Sequence, residues 1–292
     1  MRLTELTDAA PASRAIAVGA FDGVHLGHRA VIEGADTVLT FEPHPVAVIE
    51  PVRLPKLLTP LPRKAEIIAG LGVEELIVIR FDSSFAARTA EEFVDEVLVA
   101  RLGAASVSVG ENFRFGAGAR GDAAMLAADG RFAARVVALC EVDGEIVSSS
   151  RIRSLIAAGE VAHAADMLGA PFEVSGEVVG GDRRGRQLGY PTANLVPPAG
   201  LACPGHGVYA CLADGMAAAV SIGVRPTFGS GRAELIEAHL IDFDGDLYGH
   251  TLRLAFLERL RGERRFDTVQ ALVEAMAGDV EQARAVCAQA LG

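Results

Sequence analysis

Positive charge is scarce in this sequence. Its 292 residues carry 27 Lys and Arg against 38 Asp and Glu, a formal net charge of −11. A broad nucleic-acid footprint needs the opposite balance, because clustered Lys and Arg are what meet a phosphate backbone. No nucleic-acid partner is therefore expected, although a local anion site is compatible with the total. Cysteine is sparse as well. Cys140, Cys203, Cys211 and Cys287 stand far apart in no metal-ligand spacing, and nothing at the N-terminus resembles a signal peptide. The expectation is reduced thiols in a cytoplasmic protein. Long apolar runs are also missing. The most apolar stretch, 207–224, is interrupted by Asp214-Gly215, a pair favoured in tight hairpin turns, and reads as two strands rather than a membrane span. Tryptophan is absent, and no internal repeat is visible. What is left, 50% apolar and 22% charged residues, is a globular composition whose length suits two ordinary domains with separate cores.

The most informative stretch runs from Val18 to His28, V-G-A-F-D-G-V-H-L-G-H. Ala15 to Gly19 are small and apolar and read as a buried strand. Gly23 and Gly27 bracket a turn, and Arg29 to Ile32 have a helical pattern. In a strand, tight turn and helix start, the first helical N–H groups lack internal partners and the helix dipole favours an anion there. His25 and His28, three apart, can both donate hydrogen bonds to oxygens gathering charge at the turn. Such a site suits nucleotidyl transfer, in which positioning and charge stabilisation carry most of the catalysis. A zinc site would need further ligands, and neither H-E-x-x-H nor C-x-x-C is present.

Strands alternate with helices up to about residue 170. Strand-like segments 36–41, 76–81, 106–110 and 134–139 flank a helical segment 63–71. A second helix is opened by the capping box Thr89-Ala90-Glu91-Glu92, runs to about Leu102 and buries Phe93, Val97 and Leu98. A proline-dotted loop leads from His44 through Pro62. The pattern predicts an α/β unit with a doubly wound parallel sheet and ligands at the carboxyl ends of its strands. Beyond Pro171, segments 172–179, 207–213, 216–222, 235–243 and 251–256 are strand-like and predict a small closed β-barrel. A terminal helix, 267–291, carries Val269, Leu272, Val273 and Met276 on one stripe, with a break expected at Gly278. The predicted domains are 1–169 and 170–292.

The second half has its own chemistry. A glycine- and arginine-rich loop, 180–189, can fold over ATP phosphates. Thr192 and Asn194, two apart on an extended segment, can offer hard oxygen ligands to one Mg²⁺. Glu237 points away from Ile236, Ala238 and Leu240 on a strand, where a solvated surface carboxylate is the plain reading. Asp242, Asp244 and Asp246 do not make a calcium loop, because Leu247 and Arg253 occupy positions that require Gly and Glu. The Gly116, Gly118 and Gly121 spacing spells a dinucleotide fingerprint but does not follow its strand directly.

Gly19 to His28 resembles the H-x-G-H signature of nucleotidyltransferases related to class I aminoacyl-tRNA synthetases. More narrowly, it resembles the N-terminal module of the bacterial bifunctional riboflavin kinase/FMN adenylyltransferase (FAD synthetase) family. Residues 110–122, the Pro43-His44-Pro45 segment and the serine run ending in Arg153 are similar to that family's first half, with Ser150 where threonine is usual. Pro191-Thr192-Ala193-Asn194 and 221–229 resemble its riboflavin kinase half. The resemblance implies ATP-dependent phosphorylation of riboflavin to FMN, then adenylylation of FMN to FAD with release of pyrophosphate. It implies that His25 and His28 stabilise charge and that Glu237 is the general base of the kinase. It further implies that Gly19, Phe21, Asp22, Gly23, His44, Asn112, Ser149, Arg153, Gly185 and Arg186 contact nucleotide or flavin, and that Thr192 and Asn194 hold Mg²⁺. One departure stands out. Only the eleven residues Arg29 to Leu39 separate His28 from Thr40, fewer than the family usually has, so the crossover between the first two parallel strands is expected to be stretched. Two competing readings stay open, a kinase with weak or lost adenylylation and a non-catalytic flavin-binding regulator. A synthetase-like RNA enzyme is opposed by the net charge and by the lack of a K-M-S-K-S-type segment.

Overall fold

The computed structural model describes residues 1–180, 189–227 and 231–291. It divides into two compact units, Met1–Ser149 and Ser150–Gly292.

The first unit is a six-stranded, wholly parallel sheet of β1 (Arg2–Glu5), β2 (Arg14–Val18), β3 (Thr37–Glu42), β4 (Glu75–Arg80), β5 (Ala104–Gly110) and β6 (Ala133–Val137). Their spatial order is β1-β4-β3-β2-β5-β6. Successive side chains of a strand point to opposite faces, and both faces are covered here. Ile16, Val18, Leu39, Phe41, Ile77 and Ile79 enter one apolar cluster, while Ala17, Val38 and Leu76 enter another with Val31 and Ile32 of helix α1 (Leu26–Ile32) and Ile68 of helix α2 (Leu61–Gly70). The short crossover closes. Helix α1 ends at Glu33, Gly34 turns at φ +77°, and β2 pairs with β3 from Ile16↔Thr37 to Val18↔Leu39. The capping box forms as predicted, the Thr89 hydroxyl accepting from the Glu92 N–H while the Glu92 carboxylate accepts from the Thr89 N–H. The helix it opens, however, passes at Phe93 into a π-helix to Arg101, burying Phe93, Val94, Val97 and Leu98. The proline-dotted segment is not all loop. It holds short helical turns at Pro45–Ile49 and Pro51–Arg53, each with proline at its start, where the missing N–H costs nothing. Strand β1 was not foreseen. It is short and exposed, and Arg2, Thr4 and Arg14 all converge on the Glu75 carboxylate.

The second unit begins with helices α3 (Ser149–Ala158) and α4 (Val161–Leu168) and continues as a closed antiparallel barrel. Its strands are β7 (Phe172–Val179), β8 (Ala193–Val196), β9 (Gly207–Ala213), β10 (Met216–Thr227), β11 (Gly231–Leu240) and β12 (Thr251–Arg261), in the order β7-β8-β11-β10-β9-β12. Both helices group with the barrel, whereas the sequence reading placed them before its domain division. The Arg259 guanidinium donates to the carbonyl of Ala158 at 3.2 Å, and the Gly205 N–H to that of Ile156 at 3.0 Å.

The terminal helix α5 (Val269–Leu291) corrects one expectation, since it runs unbroken through Gly278. The expected stripe holds in part: Leu272, Val273 and Met276 are half-buried and continue at helical spacing into the buried Asp279, Ala283 and Cys287, while Val269 at the helix start is exposed. A polar contact fastens that face. Arg261 holds Asp279 in a bidentate pair, 2.8 and 2.7 Å, and such a fork fixes orientation as well as distance. Glycine in a helix interior costs only about 1 kcal/mol, which packing of Ala283 and Cys287 against Ala210, Ala219 and Ile241 can offset. No helix among the described residues is long and apolar enough to cross a membrane.

Candidate active sites

In the first unit the chain leaves β2 toward β3 and β4 on one side and later places β5 and β6 on the other. This switch point opens a crevice at the carboxyl ends of β2 and β5. The turn that follows β2 occupies it. Gly19 meets the Phe21 ring closely, since a Cβ there would lie 3.0 Å from it and the ring would have to give. Phe21 and Val24 have left-handed φ of +50° and +42°, and Gly23 has +91°. Such strain in non-glycine residues persists only where the surroundings enforce it. Asp22 supplies part of that enforcement. Its buried carboxylate accepts the N–H groups of Leu58 (2.9 Å) and Thr59 (3.1 Å), and its carbonyl accepts the Ser149 hydroxyl at 2.8 Å. The described contacts of Asp22 and Ser149 thus brace the turn from within.

His25 is the N-cap of α1, and its Nδ1 accepts the His28 N–H at 3.2 Å. A ring nitrogen that accepts carries no proton, so this bond fixes His25 as the neutral tautomer with its proton on Nε2. The His28 ring stacks on it, centroids 3.5 Å apart and planes 16° from parallel, with Phe21 edge-on at 5.3 Å. Burial foremost, then the neighbouring His25 and Lys64, hold His28 well below the usual histidine pKa of 6.5. Its buried Nδ1 has no hydrogen-bond partner among the described residues, so a second proton there would be an unsatisfied donor. Both imidazoles are therefore neutral N–H donors.

Lys64 was missed by the sequence reading. It is only 5% exposed on α2, and its Nζ donates to the Ala20 carbonyl at 2.8 Å, which also accepts from the Thr40 hydroxyl at 3.2 Å. The signal was available in its spacing, since Lys64 and Ile68 are four apart and share the buried face.

Ala20 also lines a cavity of about 360 Å³, together with His44, Asn112 and the rings of Phe41, Phe81, Phe85, Phe93, Phe113 and Phe115. Aromatics are only 5% of the chain, yet six of its 13 phenylalanines meet here. Phe113 and Phe115 stack 5.6 Å apart at 19°, and the Arg88 guanidinium lies 5.4 Å over the Phe85 ring. His44 caps the Pro45–Ile49 turn, its Nδ1 accepting from the Val46 N–H. Arg153 lies on α3, within the second unit.

In the second unit β8 pairs with β11, placing Asn194 opposite Glu237, and β11 pairs with β10, placing Glu237 opposite Ser221. Thr192 lies two residues before Asn194, at the entry to β8. On the same strand face as Glu237, His239 approaches the Pro191 carbonyl at 2.8 Å, and Tyr190 packs edge-on against its ring at 5.4 Å. His239 was also missed, and its signal was the two-residue spacing from Glu237. The side-chain oxygens of Thr192 and Asn194 are hard donors of the kind Mg²⁺ prefers, and the row contains no soft ligand, so the residues fit that ion. Gly185 and Arg186 lie outside the described residues.

The comparisons with known proteins also divide the chain in two. A sequence model of FAD synthetase matches residues 7–151, and one of riboflavin kinase matches residues 168–287. The chain is 37% identical over 288 residues to the bifunctional riboflavin kinase/FMN adenylyltransferase of Escherichia coli (strain K12), covering 92% of this chain and 91% of that one. It is 38% identical over 289 residues to the Pseudomonas fluorescens protein of that name, covering 93% and 92%. A crystal structure from Streptococcus pneumoniae, described as a macrolide-efflux protein, superposes with a TM-score of 0.89 at 31% identity, covering 97% of this chain and 99% of that one. With relatives of this identity matching nearly end to end, the chain belongs to the bifunctional riboflavin kinase/FMN adenylyltransferase family.

Proposed function

We propose that the chain makes flavin cofactors in two successive ATP-dependent steps, one in each unit. In the barrel, the riboflavin 5′-hydroxyl attacks the γ-phosphorus of ATP while Glu237 takes its proton, giving FMN and ADP. Thr192 and Asn194 are the residues that would hold Mg²⁺, which neutralises phosphate charge when bound. In the first unit a phosphate oxygen of FMN attacks the α-phosphorus of a second ATP. The bond to the bridging oxygen breaks, and FAD and pyrophosphate result. His25 and His28 meet the charge growing on the phosphoryl oxygens as N–H donors. The phenylalanine-lined cavity takes the flat flavin ring, with His44 and Asn112 offering polar contacts to its edge.

One observation carries this reading. Ala20 lines the aromatic cavity and directly precedes the turn that holds both imidazoles. A flavin seated in the cavity therefore lies beside the charge-stabilising groups, an arrangement that a regulator binding flavin alone would not need. A cytoplasmic location belongs to the same reading, and the four free cysteines fit a reducing compartment.

The test is turnover of the full chain with riboflavin, ATP and Mg²⁺, followed by chromatography. FMN should rise first and FAD after it. FMN supplied with ATP but yielding no FAD would leave the chain a kinase only, and no product from either substrate would favour the regulator.

A further inference from the structure

The chain contains only two lysines, Lys56 and Lys64; its other basic side chains of fixed charge are all arginine. Lys64 is buried, and a buried cation is expensive unless it does something there. Its ammonium donates to the Ala20 carbonyl (2.8 Å), the last backbone group before the strained Phe21. The charges of Asp22 on the turn and Glu42 at the end of β3 favour its ammonium against the cost of burial, and its own charge opposes protonation of His28. A guanidinium could not replace it, because a rigid five-donor fork needs more room and more acceptors than a compact ammonium.

We infer that Lys64 is a positioning residue of adenylyl transfer, holding the turn after β2 in shape through Ala20 and keeping His28 a neutral donor by its positive charge. The inference rests on the adenylyltransferase reading of the first unit. Burial is the larger opposition to protonation of His28; of the groups facing it, His25 on the turn is neutral and Lys64 on α2 carries the charge that adds to the effect. Activity that needs neutral His28 falls as pH drops through the His28 pKa. Removing the Lys64 charge relieves the repulsion, raises that pKa and moves the acid limb to higher pH.

The two roles separate by substitution in the full chain, with riboflavin kinase turnover as the measure of enzyme amount. Lys64→Gln keeps a donor for Ala20 but no charge, so the acid limb of kcat/KM for adenylylation should move to higher pH. Lys64→Met loses both, and kcat on the plateau should also fall about tenfold. Thr40→Val weakens the hold on Ala20 and keeps the charge, so kcat should fall with the limb unmoved. If Lys64→Met does not fold, the other two variants decide. An unmoved limb in Lys64→Gln, or full turnover in Thr40→Val, overturns the inference. An unmodified chain that makes no FAD from FMN would instead refute the reading beneath it.

Discussion

Asn194 stands directly opposite Glu237, and Glu237 directly opposite Ser221, across three adjoining strands of the barrel. Opposed residues project from the same side of a sheet, so amide, carboxylate and hydroxyl make one polar row. The next row, Leu195, Ile236 and Ile222, is apolar and fully buried. Substitutions in the polar row therefore act on chemistry more than on the core.

Glu237→Gln keeps the size of that side chain and removes its basicity. Riboflavin phosphorylation should fall about 10²-fold or more, the usual contribution of a positioned base, while conversion of supplied FMN to FAD should continue at its normal rate. Assaying the two steps separately checks this, and kinase turnover at the unmodified level would refute the assignment.

Asn194→Ala removes one oxygen ligand from the metal the kinase would use. The Mg²⁺ concentration needed for half-maximal FMN formation should rise, with adenylylation unchanged across the same titration. Because Asn194 is buried, equal loss of both activities would mean that it acts through folding.

The grouping of α3 and α4 with the barrel changes where an independent kinase should begin. Val161, Ala164, Met167 and Leu168 of α4 are all buried, and a fragment starting at Ala170 would lack them. A fragment of residues 150–292 should fold and phosphorylate riboflavin. One of residues 170–292 should melt at lower temperature, since each large side chain lost from a buried contact removes about 1.5–3 kcal/mol. Thermal melts of the two, with kinase assays, decide it; equal stability would show that the helices are dispensable to the barrel.

The turn at 18–28 was legible because its glycines and histidines are local chemistry, and the barrel because period-two alternation survives in its strands. Other features depend on contacts that no local pattern announces. The six phenylalanines of the cavity are scattered between residues 41 and 115 and meet only when β3, β4 and β5 align. Lys64 shares a helix face with Ile68 in the sequence pattern, but only the fold brings the Ala20 carbonyl to it. The apolar stripe at the start of α5 leads into a face whose buried Asp279 is polar, and that burial is explained only by its partner Arg261, 18 residues away in the sequence. Strand β1 is too short and too charged to register as a strand.

The shortened crossover makes adenylylation the more fragile activity. Helix α1 has seven residues, ~10 Å at 1.5 Å per residue, and must return along strands of ~20 Å. The loop from Gly19 to His25, with its left-handed residues, covers the difference. A helix this short does not hold by itself in water. Its order depends on Val31 and Ile32 packing against Ala17, Val38 and Leu76, and His25 and His28 sit at its start. The kinase row lies instead on a closed barrel whose strands all have partners on both sides. As temperature rises, FAD formation from FMN should therefore be lost before FMN formation from riboflavin. Val31→Ala, which removes ~2 kcal/mol of packing, should widen the gap by lowering only the first. One thermal inactivation series with both assays measures it, and an adenylyltransferase that outlasts the kinase would refute the argument.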